Sequence, residues 1–118
     1  MNTKTTIIIT LTVDGMHCFP MAAELFPEVD FLSYRHRHMF TFKAAKQVFH
    51  DDRDVEFIEF KRNILSYLTD QYSDSYMRTL EFGSMSCEML AREILERFDC
   101  EWVECWEDNE NGAKVEKI

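Results

Sequence analysis

Basic side chains are scarce in this sequence. Lys and Arg number 13 against 22 Asp and Glu, a formal charge of -9. A phosphate backbone or an anionic membrane surface would meet net repulsion, so neither nucleic acid nor membrane is an expected partner. No two cysteines form a C-x-x-C pair. Cys18, Cys87, Cys100 and Cys105 stand at uneven spacings, which argues against a zinc ribbon, a thioredoxin-like motif or a dense disulfide framework. Reduced thiols in a cytoplasmic protein are the expectation. No stretch reaches the roughly 18 to 20 apolar residues of a membrane helix. The run from Ile7 to Val13 alternates with threonine and ends at Asp14 without a small-residue cleavage pattern, so it reads as a strand rather than a targeting segment. Repeats and low-complexity segments are also missing. A soluble protein is expected.

What is present suffices for one core. The 118 residues are 46% hydrophobic and 14% aromatic, which fits a single domain over residues 1–118. Residues 5–13 place Ile7, Ile9, Leu11 and Val13 on one face, as in a half-buried strand. Residues 14–33 contain Gly15, Pro20 and Pro27 and read as a long excursion, with a short helix at 21–26; long ordered loops are often functional. Residues 34–49 alternate again, with His36, His38, Phe40, Phe42 and Ala44 sharing a face, and predict a second strand. The cluster from His50 to Asp54 predicts a turn, and residues 55–58 a third strand closing a hairpin.

From Glu59 the period changes. Phe60, Ile64, Tyr67 and Leu68 fall on one helical stripe, predicting a helix over 59–71. Residues 72–85 read as connection, with 77–82 as a brief strand at most. Ser86 reads as an N-cap with Glu88 in the first turn, ahead of Leu90, Ala91, Ile94 and Phe98, so a second helix spans 86–98. Residues 101–107 alternate as a final strand with Val103, Cys105 and Glu107 on one side, and a polar tail follows. Trp102 and Trp106 share the other side and are expected to pack on a helix or across a subunit interface. The expected fold is α+β, a four-stranded antiparallel sheet with two helices on one face. Its other face and its edges must be paired or covered, which favours a homo-oligomer.

His36 and His38, two apart on a strand, project to one face about 7 Å apart along the chain, within reach of a single ion. The same face continues as Phe40 and Phe42, a dry surrounding in which a coordinated cation would satisfy the imidazoles. His17 is the best third ligand. Three histidines with an open fourth position compose a catalytic or ligand-binding zinc site. The spacing alone equally describes an exposed strand end whose imidazoles meet water.

The order of motifs adds to this. Met16-His17, His36-Arg37-His38, the segment from Glu56 to Lys61, the segment from Ser86 to Ala91, and Glu107-Asp108 follow one another across roughly residues 5–110. In that order they resemble the 6-pyruvoyl-tetrahydropterin synthase and 6-carboxytetrahydropterin synthase family, the tunnelling fold. The resemblance implies zinc on His17, His36 and His38. It makes Glu107 the carboxylate that anchors a pterin through a ring N–H and an exocyclic amine, a donor pair that suits two acceptor oxygens. It places Ser86, Cys87 and Glu88 at the border of the same pocket, and it implies a ring-based homo-oligomer, such as a hexamer, whose sheets close into a barrel with pockets at subunit boundaries.

Two family features have no counterpart. The family carries a proton-transfer cysteine shortly before H-x-H, whereas residues 28–35 contain none; its Asp-His pair after the first helix is also missing, since residues 69–85 hold no histidine. General acid–base chemistry needs a titrating group within reach of the substrate. Binding or sequestration of a pterin-, purine- or nucleotide-type ligand is therefore the first expectation. The alternative is a zinc-dependent lyase acting on dihydroneopterin triphosphate or a related pterin, with Cys18, Asp51 or Asp52 replacing the missing groups.

Overall fold

The computed structural model describes residues 1–74 and 77–118. Its spine is a pair of thirteen-residue strands, β1 (Thr5–His17) and β2 (His36–Val48). Their antiparallel ladder runs without a shift from Thr5 opposite Val48 to His17 opposite His36. The β-branched stretch at the start of β1 favours this pleated, half-buried conformation. Strand β1 continues past the predicted end at residue 13, so His17 is borne on the strand itself. The excursion between the strands begins only at Cys18. It contains the short helix α1 (Ala22–Leu25) and a 3-10 segment, Pro27–Ser33, broken at Val29.

Beyond β2 lie β5 (Trp102–Glu107) and β6 (Asn111–Glu116), each antiparallel to its neighbour. On the other flank β4 (Met77–Glu81) pairs in parallel with β1 and antiparallel with the two-residue β3 (Ser73–Asp74). Among the described residues the sheet is therefore six-stranded and mixed, in the order β3-β4-β1-β2-β5-β6. The expected four-stranded antiparallel sheet is corrected in three places.

Residues 55–58 form no strand. Glu56 instead caps helix α2 (Phe57–Tyr72), its carboxylate accepting the Glu59 N–H at 2.8 Å. The apolar pair Phe57 and Ile58 stays exposed in the first turn. The polar tail is a strand: Ala113 and Val115 pack against the core, and Gly112 lets the Trp106 ring lie where a Cβ would come within 2.5 Å of it. The expected connection over 72–85 holds β3 and β4, with Leu80 buried; its residues 75 and 76 lie outside the described ones.

The core fills the space between one face of the sheet and two helices, α2 and α3 (Cys87–Phe98). Ile9, Leu11 and Val13 of β1, Phe40, Phe42 and Ala44 of β2, and Val103 and Cys105 of β5 meet Phe60, Ile64 and Leu68 of α2 and Leu90, Ala91 and Ile94 of α3. These are the stripes the spacings predict. Phe40 and Phe42 are fully buried, each worth about 1.5–3 kcal/mol in transfer free energy. Ser86 caps α3, its Oγ accepting the Met89 N–H at 3.1 Å. Trp102 and Trp106, expected on a helix or across a subunit interface, alternate with the buried Val103 and Cys105 and so lie on the face turned away from both helices, which corrects the first alternative. Lys114 Nζ stands 4.8 Å over the Trp102 ring, and Trp106 Nε1 donates to Glu104 at 2.8 Å. Among the described residues no helix is long and apolar enough to cross a membrane.

Candidate metal centre

On β1 the buried positions are alternate: Ile9, Leu11, Val13, Gly15 and then His17. A strand's period of two carries the core face straight into the imidazole. Gly15 makes room beneath it, since a Cβ there would lie 2.5 Å from the Phe82 ring and 2.8 Å from that of Phe40. The Phe40 ring in turn sits edge-on to His17 and to His38, with centroids 5.1 Å and 5.7 Å away. Strand pairing sets His36 opposite His17, and His38 follows two residues on along β2.

The three imidazoles converge. Their ring centroids are 4.6 Å (His17 and His36), 4.9 Å (His36 and His38) and 5.2 Å (His17 and His38) apart. One nitrogen from each lies within 4.8 Å of the other two, a group that can hold a metal ion. The hydrogen bonds at the rear of each ring identify the inward atom. His17 Nδ1 is 2.9 Å from the Met85 carbonyl, and His36 Nδ1 is 2.8 Å from the Tyr34 carbonyl. A carbonyl only accepts, so these Nδ1 atoms carry a proton, which leaves Nε2 as the atom of each ring available to a metal. His38 Nδ1 is 2.7 Å from Asp108 Oδ2, the carboxylate–histidine arrangement that orients metal-binding imidazoles.

The electrostatics favour a neutral His17. Burial is the main cause that pushes the His17 pKa below its ordinary value, against the Met85 hydrogen bond and the nearby Glu107 carboxylate. Asp108 is held below the usual carboxylate range by its hydrogen bond to His38 and by the Met39 N–H, which it accepts at 2.8 Å. The Nε2 atoms of His17 and His38 are buried and make no hydrogen bond among the described residues. Buried polar atoms left without a partner are costly, and a cation shared between them removes that cost.

Glu107, at the end of β5, comes close to two of the three imidazoles. Its Oε2 lies 3.0 Å from His38 Nε2, without hydrogen-bond alignment, and its Oε1 lies 3.7 Å from His17 Nε2. The Cys87 thiol donates to Oε1 at 3.6 Å. A pocket of about 440 Å³ opens beside this group, lined by His17, His36 and Glu107, by Ser86, Cys87 and Glu88 at the start of α3, and by Cys18 and Phe26 from the excursion. The residues singled out from sequence for metal and ligand are thus gathered in one place, and so is Cys18. Asp51 and Asp52 are not. They sit in the turn after β2, roughly 40 Å of strand contour beyond His36, and Asp51 lines a separate cavity of about 200 Å³ with Val48 and Phe57.

Sequence reasoning named Asp108 only as the neighbour of Glu107 and gave it no role. It occupies the turn between β5 and β6, where Asp108 and Asn109 both have positive φ (52° and 57°) and Glu110 N–H bonds to the Glu107 carbonyl at 2.9 Å. Asp and Asn tolerate that conformation, so the Asp-Asn dipeptide after an alternating strand was the signal available. No family model matches this chain, and no curated protein matches it.

Proposed function

We propose that this chain is a tunnelling-fold protein of the pterin synthase type. It holds Zn2+ on His17, His36 and His38 and captures a planar pterin-, purine- or nucleotide-type ligand in the adjoining pocket, with Glu107 as anchor. The observation that carries this reading is the convergence of three imidazoles whose Nδ1 atoms are all engaged from behind, at the wall of a pocket that also contains Glu107. Imidazole nitrogens suit zinc, and three of them leave a coordination position for a further group. Binding rather than turnover fits the missing proton-transfer groups. A ring-shaped homo-oligomer suits the exposed apolar side chains of the excursion, Leu25, Phe26, Phe31 and Tyr34, of which Phe26 also lines the pocket. Such side chains call for a covering neighbour.

Elemental analysis of the purified protein, with mass spectrometry of the small molecules released by heat, tests this reading. Stoichiometric zinc together with a released pterin or purine supports it. Absence of both, with no thermal shift on adding zinc and then neopterin or GTP, removes it.

A second reading, a zinc-dependent lyase on dihydroneopterin triphosphate or a related pterin, is favoured by one observation. Cys18 lines the same pocket as His17 and His36, where a thiol can take the missing proton-transfer role. Conversion of the triphosphate by zinc-loaded protein, lost in Cys18→Ala with zinc retained, is its test.

A further inference from the structure

From the contacts of Glu107 we infer that its carboxylate is the fourth ligand of the metal ion when the pocket holds no ligand, closing the coordination shell with His17, His36 and His38. The inference rests on the metal-binding part of the proposed function and specifies how that site behaves.

Three observations carry it. The first is chemical. The Nδ1–H of His17 is committed to the Met85 carbonyl and that of His38 to Asp108. With the proton on Nδ1, a neutral imidazole presents its Nε2 lone pair to the Glu107 oxygens, which are also lone-pair donors. Acceptors crowded onto acceptors repel unless a positive charge lies among them. The second is metric. Zinc bonds of about 2.0–2.1 Å at tetrahedral angles set neighbouring donor atoms roughly 3.3 Å apart. Glu107 Oε2 lies 3.0 Å from His38 Nε2, near that value, and the other oxygen, Oε1, lies 3.7 Å from His17 Nε2.

The third is positional. Glu107 ends β5, paired directly with Phe40 of β2, and the next residue, Asp108, is fixed to His38 Nδ1 and to the Met39 N–H. One short turn thus supplies a carboxylate behind His38 and a second in front of it, so Glu107 is delivered to the ion by the same backbone that orients the ligand. The Cys87 thiol holds the other face of the carboxylate at 3.6 Å. Since Glu107 is also the proposed anchor, a ligand that takes both its oxygens must draw it off the ion. Metal closure and ligand capture then oppose each other, reciprocally.

Titration of the metal-free full chain with Co2+ tests this, because the visible d–d bands of Co2+ report both affinity and coordination. Glu107→Gln keeps the shape and removes the charge. It should weaken Co2+ binding at least tenfold and shift the bands as water replaces the carboxylate. Glu107→Asp keeps the charge at shorter reach and should fall between, which preserves the test if the glutamine variant folds poorly by circular dichroism. Glu104→Gln, on the opposite face of β5, should match the parent and controls for net charge. Parent-like affinity and bands in both Glu107 variants would overturn the inference while leaving the three-histidine site standing. A parent chain that binds no Co2+ would overturn both.

Discussion

Asp108 grips His38 from seventy residues away in the chain, one carboxylate oxygen 2.7 Å from the imidazole Nδ1 and the other accepting the backbone N–H of Met39. Ring and backbone are therefore held by one side chain, and His38 cannot turn without breaking a charge-assisted bond. Asn at this position keeps the positive φ of the turn and loses the charge. Asp108→Asn should lower metal affinity about 10- to 100-fold with an unchanged far-UV spectrum, read by competition against a chromophoric chelator.

Gly15→Ala should destabilise the fold. The added methyl would meet the Phe82 and Phe40 rings at 2.5 Å and 2.8 Å, and overpacking of a filled core costs about 1–3 kcal/mol. Urea denaturation should show a lower midpoint with an unchanged slope. Because the Phe40 ring sits edge-on to His17, metal affinity should fall in parallel.

Metal binding should stabilise the whole chain. An ion that binds the folded state alone adds about 2.7 kcal/mol at a concentration one hundred times its Kd, which for a domain of this size raises Tm on the order of 10 °C. Differential scanning fluorimetry with zinc should show that rise, and a chelator should reverse it. The triple variant His17→Ala, His36→Ala, His38→Ala should show neither.

The thiols should differ in reactivity and in their response to alkali. Burial pushes Cys100 up to about 11, and its contact with Cys87, then burial, raises Cys105 as well. Iodoacetamide near neutral pH should label the partly exposed Cys18 well before the three buried cysteines, as read by peptide mass spectrometry. A thiol whose pKa is raised by folding gives stability that is intact below the unfolded value, near 9, and declines as pH climbs toward 11. The urea midpoint should accordingly fall above about pH 9.

The long strands, both packed helices and the pair His36 and His38 were legible because each rests on a period. Ile9, Leu11 and Val13 alternate; Phe60, Ile64 and Leu68 recur on a helical stripe; His36 and His38 are two apart. The failures lie where a local interaction overrules composition. Phe57 and Ile58 look like strand residues, yet Glu56 caps the backbone at Glu59 and turns them into the first turn of α2. Asn111 to Glu116 look like a solvated tail, yet Ala113 and Val115 alternate toward the core beside β5. Within the site, the spacing identified His36 and His38 but not what holds them. Two of the three rear partners are main-chain carbonyls, of Met85 and Tyr34, and a carbonyl is present at every residue, so no side-chain pattern reveals it. Asp51 and Asp52 were candidates by chemistry alone, and the length of β2 carries them to the wrong end of the molecule.

The pairing of His17 with His36 has a mechanical side. These two residues are the last rung of the β1–β2 ladder and the two ends of the excursion over residues 18–35. An ion joining them is a staple across the neck of that loop. It keeps the two ends of the loop together when the excursion opens locally, so the opened segment gains less conformational entropy. Occupancy of the metal centre would then be felt in the looped segment before it is felt in the core. Amide exchange in α1 and in residues 27–33 should slow when zinc is bound, at sites that touch no metal ligand.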